Sequence, residues 1–303
     1  MNDILVSAVI TSYKRSPEIV ERAVKSVINQ TYSNLEIIVV DDSPADYELR
    51  DAVRDTVLKY QDRVKYIRHE KNMGACVARN TGIDNSTGEY IAFLDDDDFW
   101  RENKIELQLK KALETNAGLI YCKCLITVEE TGKQILFKQE YRTGFVYDDL
   151  LKWNFIGSTS FPLIKRECFE KCGKFDPMQP AAQDYDVWIR IAEKYEVDYV
   201  DEILVDYSVH AGERISADPF NMIKAGELIL IKYNDYLKKH PKTLARRKRT
   251  IAVFYAQCRM PGKALASLLC AYVKDASAIK DNFVVTDKVF RQYIKSLIKH
   301  YKK

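Results

Sequence analysis

Four consecutive aspartates, Asp95-Asp96-Asp97-Asp98, are the densest chemical feature of the chain. Adjacent like charges repel, so a folded protein keeps such a run either solvated at a turn or facing cations. Carboxylate oxygens are hard ligands that suit Mg²⁺ or Mn²⁺, and these ions keep water and substrate phosphate oxygens in their remaining positions. An ion held there would neutralise charge on a departing phosphate. The run follows Gly88-Glu89-Tyr90-Ile91-Ala92-Phe93-Leu94 and precedes Phe99-Trp100. That context favours a buried strand ending in a ligand site over a solvated acidic turn. Other candidates are sparser. Asp41-Asp42 closes a second apolar run. His210 offers an imidazole that could ligate Mn²⁺ or touch a diphosphate, although a lone histidine is more often structural. Trp153, ahead of Asn154-Phe155-Ile156-Gly157-Ser158, has a ring suited to stacking on a ligand. Trp188, between apolar neighbours, reads as core. Cys122 and Cys124 lie two apart on one strand face, but two further ligands for a metal are not apparent.

The elements around these residues alternate. Ile4 to Ile10, Leu35 to Val40, Val64 to Ile67 and Tyr90 to Leu94 are apolar runs of strand length. Between them Ser16-Pro17-Glu18 gives an N-cap, a first-turn proline and an early acid. Helical spacing then continues through Ile19, Ala23, Val27 and Ile28. Further helices are expected over Glu48 to Tyr60 and from Gly74 to Ile83. Strands alternating with helices make βαβ units and a parallel sheet. Ligands gather beyond the carboxyl ends of such strands, so acidic clusters far apart in sequence can converge in space. The second half predicts a helix from Asn103 to Asn116, a strand from Gly118 to Thr127 and a hairpin region from Gly132 to Phe145. A short helix at Asp148 to Trp153, a strand at Ser158 to Ile164, a helix at Asp184 to Tyr195 and an extended segment at Ile203 to His210 follow. From about Pro219 the pattern is helical, with breaks at His240-Pro241 and Met260-Pro261-Gly262.

Several of these motifs, taken in order, resemble glycosyltransferase family 2. They are Val6 to Tyr13, Ser26 to Tyr32, Glu36 to Ser43, Asn72-Met73-Gly74, Ala78-Arg79-Asn80-Thr81-Gly82, Gly88-Glu89-Tyr90 with the aspartates, and Gln183 to Trp188. The resemblance implies an α/β GT-A fold, a Rossmann-like, mostly parallel sheet flanked by helices, over residues 1–216. Residues 217–303 then form a basic helical C-terminal extension. The implied activity is inverting transfer of a sugar from a nucleotide donor, favoured as a UDP-sugar, to an acceptor hydroxyl. The product class is bacterial surface polysaccharide or a lipid-linked oligosaccharide. On this resemblance Thr11 and Tyr13 contact the donor base, with the Tyr13 ring as stacking face, and Asp42 accepts from the uracil N–H. Asp41 is either a site residue or a cap of the following turn. Arg79 contacts the nucleotide or the acidic cluster, with a surface salt bridge as the alternative. Aligned on Gly88-Glu89-Tyr90, the family's Asp-x-Asp falls on Asp95-Asp96-Asp97. Asp97 is then the direct metal ligand, Asp96 lies near the ribose and Asp95 is outer-shell, while Asp98 leaves the register ambiguous by one. Asp184 matches the general base that takes the acceptor proton. The family often has Glu before it, and here Gln183 stands there.

Composition fits this reading. Hydrophobic residues at 47% and charged residues at 30% over 303 positions exclude global disorder. No run of apolar residues is long enough to span a membrane. Seven scattered cysteines without a CxxC pair suggest reduced thiols and a cytoplasmic protein. The net charge of +3 hides an asymmetry: Lys232 to Lys303 holds 18 Lys+Arg against 4 Asp+Glu. Arg246-Arg247-Lys248-Arg249 adds a basic block. Thr286 to Lys303 sets Val289, Tyr293, Leu297 and His300-Tyr301 on one face, widened by Phe290, Ile294 and Ile298. Such a helix either lies on an anionic membrane surface or packs on the catalytic domain or a second copy of the chain. Nucleic acid is not an expected partner, because no aromatic-basic platform is present. Three rival functions are weaker. A sugar-1-phosphate nucleotidyltransferase would carry a Gly-rich loop after its first strand, which Thr11 to Ser16 lacks. A receiver domain would not explain the later acids. A catalytically inactive sugar-nucleotide-binding module would not need intact acids at all three positions.

Overall fold

A computed structural model of the chain describes residues 3–137, 140–209 and 218–301. The chain divides into two compact units. The first comprises Met1–Val146, Phe155–Pro177 and Val187–Ala211, the second Tyr147–Asn154, Met178–Asp186 and Gly212–Lys303. The sequence boundary expected after residue 216 lies outside the described residues. By contact, two earlier segments group with the helical extension.

In the first unit, apolar runs become strands buried on both faces. β1 (Val6–Ser12), β2 (Leu35–Asp41), β3 (Val64–Arg68) and β4 (Tyr90–Asp95) run parallel in the order β3-β2-β1-β4. Their crossover helices are α1 (Pro17–Ile28), α2 (Arg50–Leu58) and α3 (Ala75–Asp84). Gly82 lets α3 lie close against β1, since a Cβ there would collide with the Val9 side chain. The register places Ser12 beside Asp41 and Thr11 beside Asp95. The polar residues that end three strands are thereby brought to one edge of the sheet.

The chain continues through β5 (Phe99–Trp100), α4 (Lys104–Thr115), β6 (Leu119–Val128), β7 (Lys133–Leu136), α5 (Tyr147–Lys152), β8 (Leu163–Lys165), α6 (Arg166–Cys172), α7 (Gln183–Ala192) and β9 (Val197–Val209). β8 joins the sheet antiparallel to β4 and β6, and β9 is parallel to β6. The result is one mixed, mostly parallel sheet. Trp188 is fully buried, and its indole N–H donates to the Gly157 carbonyl.

Some local expectations change. Ser16 occupies the N-cap position of α1 but makes no side-chain cap bond, leaving Pro17 and Glu18 to define that start. The strand expected from Ser158 shrinks to Leu163–Lys165. Gly157 adopts φ +98°, and the following hydroxyls turn toward the aspartates instead of continuing a ladder. The hairpin closes between β6 and β7 through Gly132 at φ +63°, and β7 ends at Leu136. β5 and α6 are too short for periodicity to reveal.

The second unit contains α5 with α8 (Pro219–Lys232), α9 (Asn234–Lys239), α10 (Pro241–Gln257), α11 (Pro261–Lys274) and α12 (Ile279–Tyr301). α10 is central, packed by α5, α8, α9, α11 and α12. This position takes Arg247 and Arg249 of the basic block out of solvent. Arg249 donates to Asn282 at 2.7 Å and to Asp275 at 2.8 Å. Removing one partner of a buried ion pair strands the other charge. Arg249→Ala is therefore expected to destabilise this unit by roughly 3–5 kcal/mol, visible as a lower urea midpoint. A midpoint within error of the parent would show that the pair contributes nothing. Val289 and Tyr293 pack with Tyr255 and Leu268 in the unit's own core, whereas Phe290, Ile294 and Ile298 stay exposed. Among the described residues no helix is long and apolar enough to cross a membrane.

Candidate active site

The edge formed by the ends of β1, β2 and β4 collects most of the residues singled out above. The Tyr13 amide donates to Asp96 Oδ2 at 2.9 Å. Arg15 donates through Nε to Asp96 Oδ1 at 2.8 Å and through Nη2 to Asp97 Oδ2 at 2.5 Å. Arg79, on α3, donates to Asp95 Oδ1 at 2.8 Å, so it serves the acidic cluster. Thr159 donates to Asp95 Oδ2 at 3.0 Å. Thr11, opposite Asp95 in the register, is partly open, and the Tyr13 ring is 43% exposed and available for stacking.

The four aspartates have different surroundings. Burial pushes the Asp96 carboxyl up to about 6, against the pull of Arg15. Asp98 is wholly enclosed, accepting from the Ser160 hydroxyl at 2.5 Å and the Ser208 amide at 3.0 Å. Burial, with Asp95 and Asp97 nearby, raises it well above the usual carboxylate range. Asp98 points inward, while Asp95, Asp96 and Asp97 face the arginines. Asp98→Asn is expected to keep the fold and at least about half of the activity, since its amide oxygen can accept from the Ser208 N–H while its NH₂ donates to the Ser160 oxygen, without a buried charge. Loss of turnover in a folded form would place Asp98 in the chemistry.

Asp42 is almost fully buried. Its Oδ1 accepts from the Met73 amide at 2.8 Å and contacts His69 Nδ1 at 2.7 Å, and its Oδ2 accepts from the Gly74 amide at 2.8 Å. Three of the roughly four acceptor positions of a carboxylate are used. Asp41 caps its own turn, accepting from the Ser43 amide at 2.9 Å and from the Tyr66 hydroxyl at 2.7 Å.

Two participants are not among the residues singled out from the sequence. His69 bridges Asp42 and Thr81 because parallel pairing brings the end of β3 beside that of β2, a long-range juxtaposition without local pattern. Arg15 has a local signal, the basic pair Lys14-Arg15 in the loop after β1.

The remaining candidates belong to other segments of the chain. Asp184 is in the first turn of α7, within the second unit, and accepts from the Tyr185 amide at 2.8 Å. Asp186 is fully buried against Lys232 at 2.9 Å, a structural ion pair. Trp153 also belongs to the second unit, with the Arg246 guanidinium 5.7 Å from its ring centroid. His210 lies outside the described residues.

A divalent cation suits the donor chemistry in one form only. Asp95, Asp96 and Asp97 offer oxygens, as Mg²⁺ and Mn²⁺ prefer. Among the described residues, however, no three His, Cys, Asp or Glu side chains are grouped to enclose an ion. The arrangement fits an ion held by one or two carboxylates, with phosphate and water completing its shell.

The chain is similar to several known proteins. It shares 32% identity over 255 residues with a Rickettsia conorii glycosyltransferase, covering 79% of this chain but only 39% of that relative. It is 34% identical over 201 residues to the Escherichia coli putative colanic acid biosynthesis glycosyl transferase WcaA, covering 64% of this chain and 68% of WcaA. Over 122 residues it is 38% identical to the Escherichia coli UDP-Glc:alpha-D-GlcNAc-diphosphoundecaprenol beta-1,3-glucosyltransferase WfgD, covering 40% of this chain and 46% of WfgD. The crystal structure of S. aureus TarS 1-349 with UDP-GlcNAc aligns over 99% of this chain and 92% of that one, with a TM-score of 0.69 and 14% identity, which establishes the shared GT-A fold. The Glycosyl transferase family 2 profile matches residues 7–173, more than half of the length, and takes in the strand ends, the arginines and all four aspartates. The chain belongs to glycosyl transferase family 2.

Proposed function

We propose that this protein is an inverting glycosyltransferase that moves a sugar from a UDP-sugar to an acceptor hydroxyl on a saccharide or lipid-linked saccharide, in bacterial surface polysaccharide synthesis. The observation that carries this reading is the convergence of Tyr13, Arg79 and three aspartates at the carboxyl edge of β1, β2 and β4. The exposed Tyr13 ring stacks on the base, and Thr11 lies alongside it. Asp42 uses its remaining acceptor position for the uracil N–H. Asp96 lies near the ribose, and Arg79 holds Asp95 in place. Asp97, with Asp95 beside it, would hold Mn²⁺ or Mg²⁺, which when bound neutralises charge on the leaving diphosphate. Asp184 takes the acceptor proton, and Trp153 presents its ring to the acceptor. WfgD, by its name, glycosylates a diphosphoundecaprenol-linked sugar. That lends support to a lipid-linked acceptor and to a cytoplasmic protein working at the inner face of the membrane.

The test is nucleotide release from a panel of UDP- and dTDP-sugars with Mn²⁺ and full-length protein. Slow UDP release from one UDP-sugar, accelerated by a lipid-linked or saccharide acceptor, is expected. Tight donor binding without release from any sugar would identify an inactive binding module. Pyrophosphate-dependent cleavage of a nucleotide sugar to the nucleoside triphosphate and sugar 1-phosphate would identify a nucleotidyltransferase.

A further inference from the structure

α12 has three faces rather than two. At about 100° per residue, Asn282, Val289 and Tyr293 form the face that packs on the bundle. About a third of a turn away run Phe283, Phe290, Ile294 and Ile298, all exposed, with Phe283 at 73% and Phe290 at 64%. The last third carries Lys288, Arg291 and Lys295. Asp287 falls within the apolar stripe, between Ile294 and Ile298, and its charge is paired with Arg291 at 2.7 Å.

The neighbouring helix repeats the pattern. On α11, Ala264, Leu268 and Ala271 are buried, while Leu265, Leu269 and Val273 form a second stripe, Val273 being 80% exposed. The two stripes meet at an apolar cleft of about 200 Å³ in which Leu265 and Phe290 both take part. Exposed apolar surface that is continuous across two helices, with cations along its border, exceeds the scattered apolar residues of an ordinary surface.

We propose that the α11–α12 face docks on an anionic lipid surface, its phenylalanines and leucines entering the headgroup boundary while Lys288, Arg291 and Lys295 pair with lipid phosphates. Charge selects this occupant. The region from Lys232 onward carries 18 basic against 4 acidic residues, so joining this face to the same face of a second copy would set cation against cation. An anionic bilayer supplies the opposite charge, and an apolar face with basic flanks is what an interfacial helix requires. The inference deepens the lipid-linked acceptor of the proposed function. It also moves the docking surface away from the Val289–Tyr293 face, which is packed inside.

The experiment is flotation of full-length protein with phosphatidylcholine vesicles that contain or lack phosphatidylglycerol, at low and high salt. Wild type is expected to float only with phosphatidylglycerol and to be released by salt. Phe283→Ser combined with Phe290→Ser should reduce the floated fraction roughly tenfold or more through lost apolar insertion. Lys288→Glu combined with Lys295→Glu should do the same. These side chains are exposed, so unchanged circular dichroism and unchanged nucleotide release from a soluble donor should accompany the loss. Failure of wild type to float, or equal flotation of the variants, overturns the proposal. So does a dimer in sedimentation that the phenylalanine variants dissolve, because the occupant is then a second copy. Flotation reads no turnover, so its failure leaves the glycosyltransferase reading standing. Conversely, a protein that floats but releases no nucleotide from any donor refutes that reading alone.

Discussion

Replacing Asp97 by asparagine abolishes sugar transfer while the chain stays folded. Its neighbours explain both halves of this expectation. Asp98 is sealed from solvent and Asp96 is nearly so, whereas the Asp97 and Asp95 side chains are 17% and 28% exposed, Asp97 being held by Arg15 at 2.5 Å. Asp95 pairs with Arg79, Asp96 and Asp97 pair with Arg15, and Arg22 donates to the Asp97 carbonyl at 2.7 Å. In the proposed function an anionic diphosphate settles beside these carboxylates. A divalent cation would let the two share that place, and Asp97 is the ligand we propose for it. Asparagine removes the ligand charge at almost constant volume, so packing is untouched. The loss in turnover should exceed about 10³-fold, the upper end for deleting one transition-state electrostatic contact. Chelation of the wild type with EDTA should match it, and Mn²⁺ should restore the wild type but not the variant. Full turnover in EDTA would remove the metal from the mechanism, and an active Asp97→Asn would move the ligand elsewhere in the run. Comparison with Asp98→Asn separates the chemical role of Asp97 from a general effect of charge in the cluster.

The parts of this site that were legible in the sequence are those set by local pattern. Apolar runs ended by Thr11-Ser12, Asp41-Asp42 and the aspartates read as strands with polar tips, and the parallel register brought those tips together. What local pattern cannot carry is which side of the sheet each acid faces. Asp98 turns inward because β9 and the Ser158 to Ser160 turn supply its hydrogen bonds from 110 and 62 residues away. The same limit hid His69, whose partner Asp42 is reached only across β2 and β3. Nor does a run of four basic residues reveal which of them are buried: α10 is surrounded by helices, and Arg247 and Arg249 find Tyr185, Asn282 and Asp275. For α12, periodicity identified two kinds of apolar residue on one broad face without deciding which of them the bundle would cover.

Asp184→Asn should lower transfer by at least about 10²-fold, the lower end of a general-base contribution, with UDP binding largely kept. Inversion needs a base that meets the acceptor hydroxyl on the side opposite the leaving diphosphate, and Asp184 is the acid that the family pattern puts in that role. Its surroundings suit a carboxylate that has to be ionised before it can accept a proton. It lies in the first turn of α7, where the positive end of the helix dipole favours negative charge. The residue two before it, Ala182, is held at φ +51°, a left-handed conformation that a non-glycine residue adopts at a cost and that tends to mark functional segments. Gln183 in place of an acid leaves no carboxylate at the adjacent position to share the proton. The rival two residues on, Asp186, is itself fully buried and paired with Lys232 at 2.9 Å, so its replacement should lower stability rather than the rate per folded molecule. The decisive measurement pairs single-turnover transfer with calorimetric UDP binding for both variants. If Asp184→Asn lost UDP binding while transfer from bound donor proceeded at the wild-type rate, Asp184 would be a donor ligand and the base would have to be sought among other acids.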